Sequence, residues 1–293
     1  MATVAQRVDR SRALAVRGVA WKATLLALLL LAAYHHAAAT LWRAWMTNDN
    51  YSHGPLVPLV SLVLAWRQRG ALARRPARTD ARGLILVAAG AGLLVLGQRA
   101  DVFLLQGYSM VAMAAGLVWT FAGTAWLRVL AFPLGFLVFM LPFPPGFVNN
   151  LSYALKETTV RLSAAAASAL GVNMQREGMN VYLDPGVVRI ENPCSGLRSL
   201  VSLLATGAIF AYFQEGAFWR KGVLFLAAIP LAMLGNALRI TGLILVANYG
   251  SLPAATGLYH DLSGFAVYGA AVLGLLWLRV ALAPRAAPKE TAR

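Results

Sequence analysis

The most informative pattern along the chain is a series of apolar runs, each bounded by charged residues, proline or glycine. Eight runs can be delimited, at residues 19–39, 55–66, 83–98, 102–122, 125–141, 196–213, 223–247 and 262–281. About 20 apolar residues in a helix span the hydrocarbon core of a bilayer, so most of these runs are long enough to cross it. The second is short and must borrow flanking residues to span. The pattern predicts an all-α polytopic membrane protein with about eight transmembrane helices.

The composition supports this class and excludes a water-soluble one. Hydrophobic residues make up 59% of the 293 residues, charged residues only 13%, and the mean hydropathy is +0.63. A soluble domain with one core could not bury so much apolar surface. We therefore expect a single membrane domain over residues 1–293, with cytoplasmic tails at 1–18 and 282–293. We also expect the first apolar run to be retained as a membrane anchor, because it lacks a cleavage-like small-residue site.

The net charge of +15 indicates how the chain is oriented in the membrane. In a soluble protein it would suggest a nucleic-acid ligand, whereas in a membrane protein Lys and Arg collect in the loops that stay in the cytoplasm. Eight spans with both termini in the cytoplasm keep most basic residues inside. These include Arg7, Arg10, Arg12, Arg17 and Lys22, then Arg67, Arg69, Arg74, Arg75, Arg78 and Arg82, and later Arg220, Lys221 and Arg279. No nucleic-acid partner is expected, and the lipid bilayer is the environment.

The one long extramembrane stretch, residues 142–195, falls on the periplasmic side in this topology. It opens with the turn-forming LPFPPG and continues as LSYALKETTVRLSAAAASAL, whose charges in mid-segment favour an amphipathic helix on the membrane surface. If that helix spanned the bilayer instead, the charge asymmetry downstream would invert. The runs MNVYL and VVRIE flank Asp184-Pro185-Gly186 and predict a small β-hairpin that leads to the only cysteine, Cys194.

The sequence around Cys194 favours a reactive thiol. Asn192 suits an N-cap, Pro193 suits the first helical position, and Cys194 then falls in the first turn of the sixth span, where free N–H groups and the helix dipole stabilise a thiolate. Ser195 follows, Gly196 allows close approach of a backbone or substrate, and Arg198 can add positive charge. The alternative is that a free cysteine serves as a small buried hydrophobe. A single cysteine excludes an internal disulfide and any multi-cysteine metal site.

Three further motifs carry polar groups at the same end of the predicted bundle. Arg239, in GNALRITG, is an ionisable group inside an apolar run, and Asn236 on the same helix face could hold its guanidinium by a hydrogen bond. The alternative is that the arginine snorkels to the headgroups. His260 in LYHDLSG could exchange protons near neutral pH with Asp261 beside it, although an interfacial histidine can be structural.

His53, in DNYSHGPLVP, could line the same pocket or merely precede a helix that begins near Pro55. Soluble catalytic motifs are absent: there is no phosphate-binding glycine loop, GxSxG or HExxH. His35 and His36 have no carboxylate at ligand spacing, so neither a metal nor another cofactor is expected.

Five motifs in this order resemble one family. YSHGPLVP, LPFPP, PCSGLRSL, NALRI and a histidine just before the last span are similar to those of the exosortase/archaeosortase family of membrane transpeptidases, and His260 points to its bacterial exosortase branch. The resemblance runs from about residue 50 to residue 264. It implies a cysteine protease or transpeptidase of the bacterial inner membrane whose catalytic residues are Cys194, Arg239 and His260.

The resemblance also implies the partners. Such enzymes process exported proteins that carry a C-terminal sorting signal, consisting of a Pro-Glu-Pro motif, a transmembrane helix and a basic tail, in surface sorting linked to exopolysaccharide. Attack of Cys194 would give a thioester, with His260 as acid and base and Arg239 stabilising the oxyanion or the thiolate. The competing class is a non-enzymatic transporter or assembly component for an exported polysaccharide, which would tolerate loss of the sulfur and would be expected to show repeated discontinuous helices.

Overall fold

The protein is predominantly helical, with one small sheet. A computed structural model describes residues 4–190 and 196–284; within these, side chains are described from residue 24 onward except at positions 256, 258, 260 and 261. The helices are α1 Val4–Thr47, α2 Leu56–Arg67, α3 Arg69–Ala73, α4 Gly83–Arg99, α5 Phe103–Ala122, α6 Thr124–Phe136, α7 Pro145–Ala169, α8 Leu197–Tyr212, α9 Phe218–Leu226, α10 Ala228–Tyr249, α11 Leu252–Ala254 and α12 His260–Ala281.

The helical, membrane-spanning character of the chain is confirmed, whereas eight full spans are not. Four described stretches are long and apolar enough to cross a bilayer, namely Thr24–Thr47, Phe103–Ala122, Phe218–Tyr249 and Leu262–Ala281. A fifth is possible if Thr124–Met140 and Pro145–Ala169, which are bent by 82° relative to each other, form one broken span. The apolar runs at 55–66, 83–98 and 196–213 do form helices, but these have 12, 17 and 16 residues, fewer than the roughly 20 needed to cross the hydrocarbon core.

The segment between α6 and α8 contains both predicted elements. The amphipathic helix is α7, which begins at Pro145 and packs on α10, where the buried Ser163 hydroxyl donates a 2.9 Å hydrogen bond to the carbonyl of Ala237. The hairpin consists of β2 Asn180–Leu183 and β3 Gly186–Arg189, and a further strand, β1 Gln175–Glu177, extends it to three antiparallel strands in the order β1-β2-β3. The apolar face of this sheet contributes Val181 and Val188 to a core shared with α10.

Two connections that carry or adjoin arginine residues lie at one end of the helical bundle. The arginine-rich loop 67–82 is held against the α5–α6 junction, where the amide of Asp80 donates to the carbonyl of Thr120 and the Arg75 guanidinium donates to the carbonyl of Ala125. Gln214, just after α8, and Arg220, in the first turn of α9, both donate to the carbonyl of Leu282 after α12. We call this the basic end. The starts of α2, α8 and α12 lie at the opposite end.

Candidate functional site

A cavity of about 830 Å³ opens at the end opposite the basic end, and we call it the α8 cavity. Its lining comes from the turn before α2, from α2 itself, α6 and α8, and from Arg239 on α10 together with the first turns of α12. The lining residues that the sequence singled out are His53, Gly196, Arg198 and Arg239. Residues from three motifs, which lie between positions 53 and 239 of the chain, are thus brought to one cavity.

Arg239 is half-buried and held by α12. Its Nε donates a 3.3 Å hydrogen bond to the buried Ser263 hydroxyl, and the phenol of Tyr259 donates to its backbone carbonyl at 3.2 Å. Gly264 lies beside the guanidinium, because a Cβ built there would be 3.6 Å from Arg239 Cζ. An arginine that merely snorkelled to the headgroups would not be fixed in this way, so the described contacts favour the interior position that the sequence predicts.

Gly196 and Asn236 form a close backbone-to-side-chain contact between α8 and α10. Gly196 precedes α8 with φ +78°, and a Cβ at this position would come within 2.9 Å of the Asn236 amide nitrogen. Only glycine adopts this backbone conformation without strain. The sequence predicts that Asn236 holds Arg239; the contact described here is with Gly196, and Asn236 is only 4% exposed.

Arg198 forms an ion pair that the sequence does not reveal. Its Nη2 lies 2.8 Å from the Asp49 carboxylate, in the short turn Asp49–Tyr51 that follows α1. Both partners are substantially exposed, 45% for Arg198 and 73% for Asp49, so water screens the interaction and the pair contributes little to stability. The charge that the sequence assigns to a nearby thiolate is thus shared with Asp49.

The turn containing His53 is fixed by contacts with the segment between α6 and α7. His53 Nε2 lies 3.2 Å from the carbonyl of Phe139, the phenol of Tyr51 accepts a hydrogen bond from the amide of Phe143, and Trp45 Nε1 donates to the carbonyl of Met140. Because a carbonyl only accepts, Nε2 carries the proton and Nδ1 is the acceptor of the neutral ring. The early and midway motifs of the sequence therefore pack against each other.

His53 both lines the cavity and precedes a helix. Burial lowers the pKa of its imidazole and the positive charge of Arg198 lowers it further, while the hydrogen bond to Phe139 acts in the opposite direction. Nδ1 is buried and has no hydrogen-bond partner among the described residues. Pro55 takes the N-cap position of α2, so both interpretations of this motif hold together.

The remaining predicted site residues are not described in full. Cys194, Asn192 and Ser195 lie outside the described residues, immediately before Gly196. His260 is the first residue of α12, four positions before Gly264, and Asp261 follows it; their side chains are outside the described set. Among the described residues, no three His, Cys, Asp or Glu side chains are close enough to hold a metal ion.

Several polar residues of the cavity were not predicted. On α8 these are Ser199, Ser202 and Thr206, and on α12 it is Tyr268, whose hydroxyl lies 3.1 Å from that of Thr206. Ser263, which accepts the hydrogen bond from Arg239 without lining the cavity, was not predicted either. The signal was present in the sequence, because hydroxyl residues three and four positions apart mark one face of an otherwise apolar helix.

Comparison with known proteins identifies the family. A family model described as transmembrane exosortase matches residues 45–277, which covers most of the chain and every motif discussed above. The comparison with curated proteins gives no match, nor does the comparison with solved structures. The ordered motifs, the helical membrane fold and this match agree, and the chain belongs to the transmembrane exosortase family.

Proposed function

We propose that the protein is a cysteine protease or transpeptidase that cleaves the C-terminal sorting signal of exported, membrane-anchored proteins. The observation that carries this proposal is the α8 cavity, where Arg239, His53 and Gly196 line one space, with Cys194 two residues before Gly196 and His260 one helical turn before Gly264. Family membership supports a site of this kind.

The reaction begins with the Cys194 thiolate attacking the carbonyl carbon of the scissile peptide bond. A carbon–sulfur bond forms, and the carbonyl oxygen takes negative charge that the Arg239 guanidinium stabilises. When the carbon–nitrogen bond breaks, His260 delivers a proton to the leaving amine. A water molecule or another nucleophile, deprotonated by His260, then attacks the thioester and releases the thiolate.

The fixed position of Arg239 supports its assigned role. Electrostatic stabilisation is effective when the donor is held in place before charge develops, because no reorganisation is then needed during the reaction. The bond to Ser263 and the packing on Gly264 restrain the guanidinium in this manner. Arg239→Lys keeps the charge but loses the planar set of donors, so a geometric role predicts that lysine fails nearly as badly as alanine.

The proposed location is the bacterial inner membrane, with the site facing the periplasm and both termini in the cytoplasm. Supporting this orientation, the arginine-rich loop 67–82 and the α8–α9 connection lie at the end opposite the α8 cavity, and basic residues favour the cytoplasmic side. Because enzyme and substrate are both anchored, encounter becomes a search within the plane of the membrane.

The test is processing of a sorting-signal substrate by Cys194→Ala, Arg239→Ala and His260→Ala. Each is expected to abolish processing at near-normal abundance in the membrane, and a double variant should be scarcely worse than Cys194→Ala, because residues that act as one unit are not additive. Full processing by Cys194→Ala would exclude the enzyme and leave the alternative, a transporter or assembly component for an exported polysaccharide in which Arg239 and His260 bind an anionic ligand.

A further inference from the structure

We propose that the α8 cavity is a lateral groove that receives the transmembrane helix of the substrate protein and so positions the adjoining segment at Arg239 and Gly196. This inference rests on the proposed function and adds the part of the enzyme that recognises the membrane-embedded portion of the signal.

The groove is elongated and runs into the apolar depth of the protein. Its floor is α8, which lines it from Arg198 to Ile209. These two residues are 11 positions apart, which corresponds to about 16 Å along a helix, or roughly half of the 30 Å hydrocarbon core. A soluble peptide substrate would need only the polar end of such a space.

The groove is open at its side. One wall is α2, which packs on α6 and contributes Leu56 and Val60; the other is α12, which packs on α10 and contributes Phe265 and Tyr268. At the rim, Leu56 is 60% exposed and Phe265 is 82% exposed. Large apolar side chains at the mouth of a groove fit entry from lipid rather than from water.

The floor of the groove suits a helix. The α8 residues that line it are mainly small, namely Ser199, Ser202, Ala205 and Thr206, and Gly196 precedes them. In membranes, small residues at such spacing let a second helix approach closely enough to gain packing and interhelical hydrogen bonds. Acyl chains gain nothing comparable from a floor of small hydroxyl residues, and this favours a protein helix over a lipid as the occupant.

Charge at one end of the groove sets the orientation of the occupant. Among the described lining residues, two guanidinium groups, those of Arg198 and Arg239, are accompanied by one carboxylate, that of Asp49. The Arg198–Asp49 pair is exposed enough to exchange its partner. A helix preceded by an acidic residue therefore fits the groove when the acidic residue lies at the two arginines and the apolar helix lies along α8. A Pro-Glu-Pro motif followed by a transmembrane helix has this arrangement.

The first experiment fills the groove. Ser202→Phe places a large side chain on the floor, and Ala270→Phe places the same side chain on an exposed position of α12 outside the groove. We expect Ser202→Phe to lower the processing rate of the membrane-anchored substrate at least tenfold, while Ala270→Phe stays within twofold of the wild type. The rate of Cys194 alkylation by a small thiol reagent, unchanged in Ser202→Phe, shows that the site itself is intact.

The second experiment identifies the occupant by photocrosslinking. Benzoylphenylalanine replaces Phe265 at the rim or Leu273, which is 66% exposed two turns further along α12 and outside the groove. The proposal expects crosslinks to the substrate helix from position 265 and not from 273. Equal crosslinking from both positions, crosslinks to lipid alone, or wild-type processing by an alkylation-competent Ser202→Phe would overturn it. Failure of the wild-type protein to process the substrate would instead refute the proposed function.

Discussion

Gly196→Ala is expected to impair the proposed processing activity through local backbone strain. An alanine at φ +78° adopts the left-handed conformation, which costs about 1–2 kcal/mol for an L-residue. Its Cβ would also come within 2.9 Å of the amide nitrogen of Asn236, a side chain that is 4% exposed and has little room to move. Overpacking of this kind costs about 1–3 kcal/mol. Together the two effects amount to about 2–5 kcal/mol, a shift of ~30-fold or more in a local equilibrium.

The strain acts two residues from Cys194, so activity should fall further than stability. We expect processing of a sorting-signal substrate to drop at least tenfold, with a slower alkylation of Cys194 and a modest fall in Tm measured in detergent. The matched control is Gly92→Ala, in the interior of α4, where a Cβ would meet no atom within 4 Å and the helix should gain roughly 0.5–1 kcal/mol. Wild-type processing and Tm in Gly196→Ala would refute the reasoning.

Three further predictions follow from the same structure. Gly54→Ala should lower Tm markedly, because its Cβ would overlap the Trp45 indole and displace the hydrogen bond to Met140; Gly70→Ala, with open space around it, should not. Stability should decrease on acidification: the folded-state pKa of His53 is lowered, so below about 6.5 the unfolded chain takes up the proton first, and the stabilising contribution is lost as pH falls through the folded-state pKa. Thermal melts from pH 7.5 to 5 should therefore be flatter for His53→Asn, and an identical pH dependence in both proteins would contradict this account. Finally, Ser168→Cys in a Cys194→Ala background should react with a membrane-impermeant maleimide from the periplasmic side, and labelling only from the cytoplasm would reverse the orientation.

Much of the fold was predictable because hydrophobic periodicity and turn chemistry are local. The hairpin turn at Asp184-Pro185 follows from residue type alone, and the structure confirms it. The amphipathic helix predicted from Leu151 is also present, but α7 begins earlier, at Pro145, inside the segment predicted as a turn. Strand β1, Gln175–Glu177, was not predicted, because its side chains are all exposed and show no alternation of buried and exposed positions. The bend between α6 and α7 was marked by prolines, but its angle of 82° depends on packing.

The sequence predicts the candidate site only in part: the order of the spans indicates which residues lie at the same end of the helical bundle, but not which side chains touch. Placing His53 and Arg239 at the same end of the bundle required counting spans, and both line the α8 cavity. The Arg198–Asp49 pair was not predictable, because it joins residues almost 150 positions apart through side chains whose reach no sequence spacing fixes. For the same reason Asn236 could be placed on the face of Arg239 but not against Gly196.

The contacts of the turn before α2 impose an order on biosynthesis. Trp45, Tyr51 and His53 find their partners 95, 92 and 86 residues later in the chain, at Met140, Phe143 and Phe139. At ~5–20 residues per second, the ribosome needs about 5–20 s to supply them. During that interval the side chains of Trp45, Tyr51 and His53 lack these partners, although the turn keeps its local hydrogen bonds from Ser52 to Asp49 and from Asn50 to Asn48. The turn between α1 and α2 can therefore reach its final contacts only after the segment that follows α6 has been synthesised.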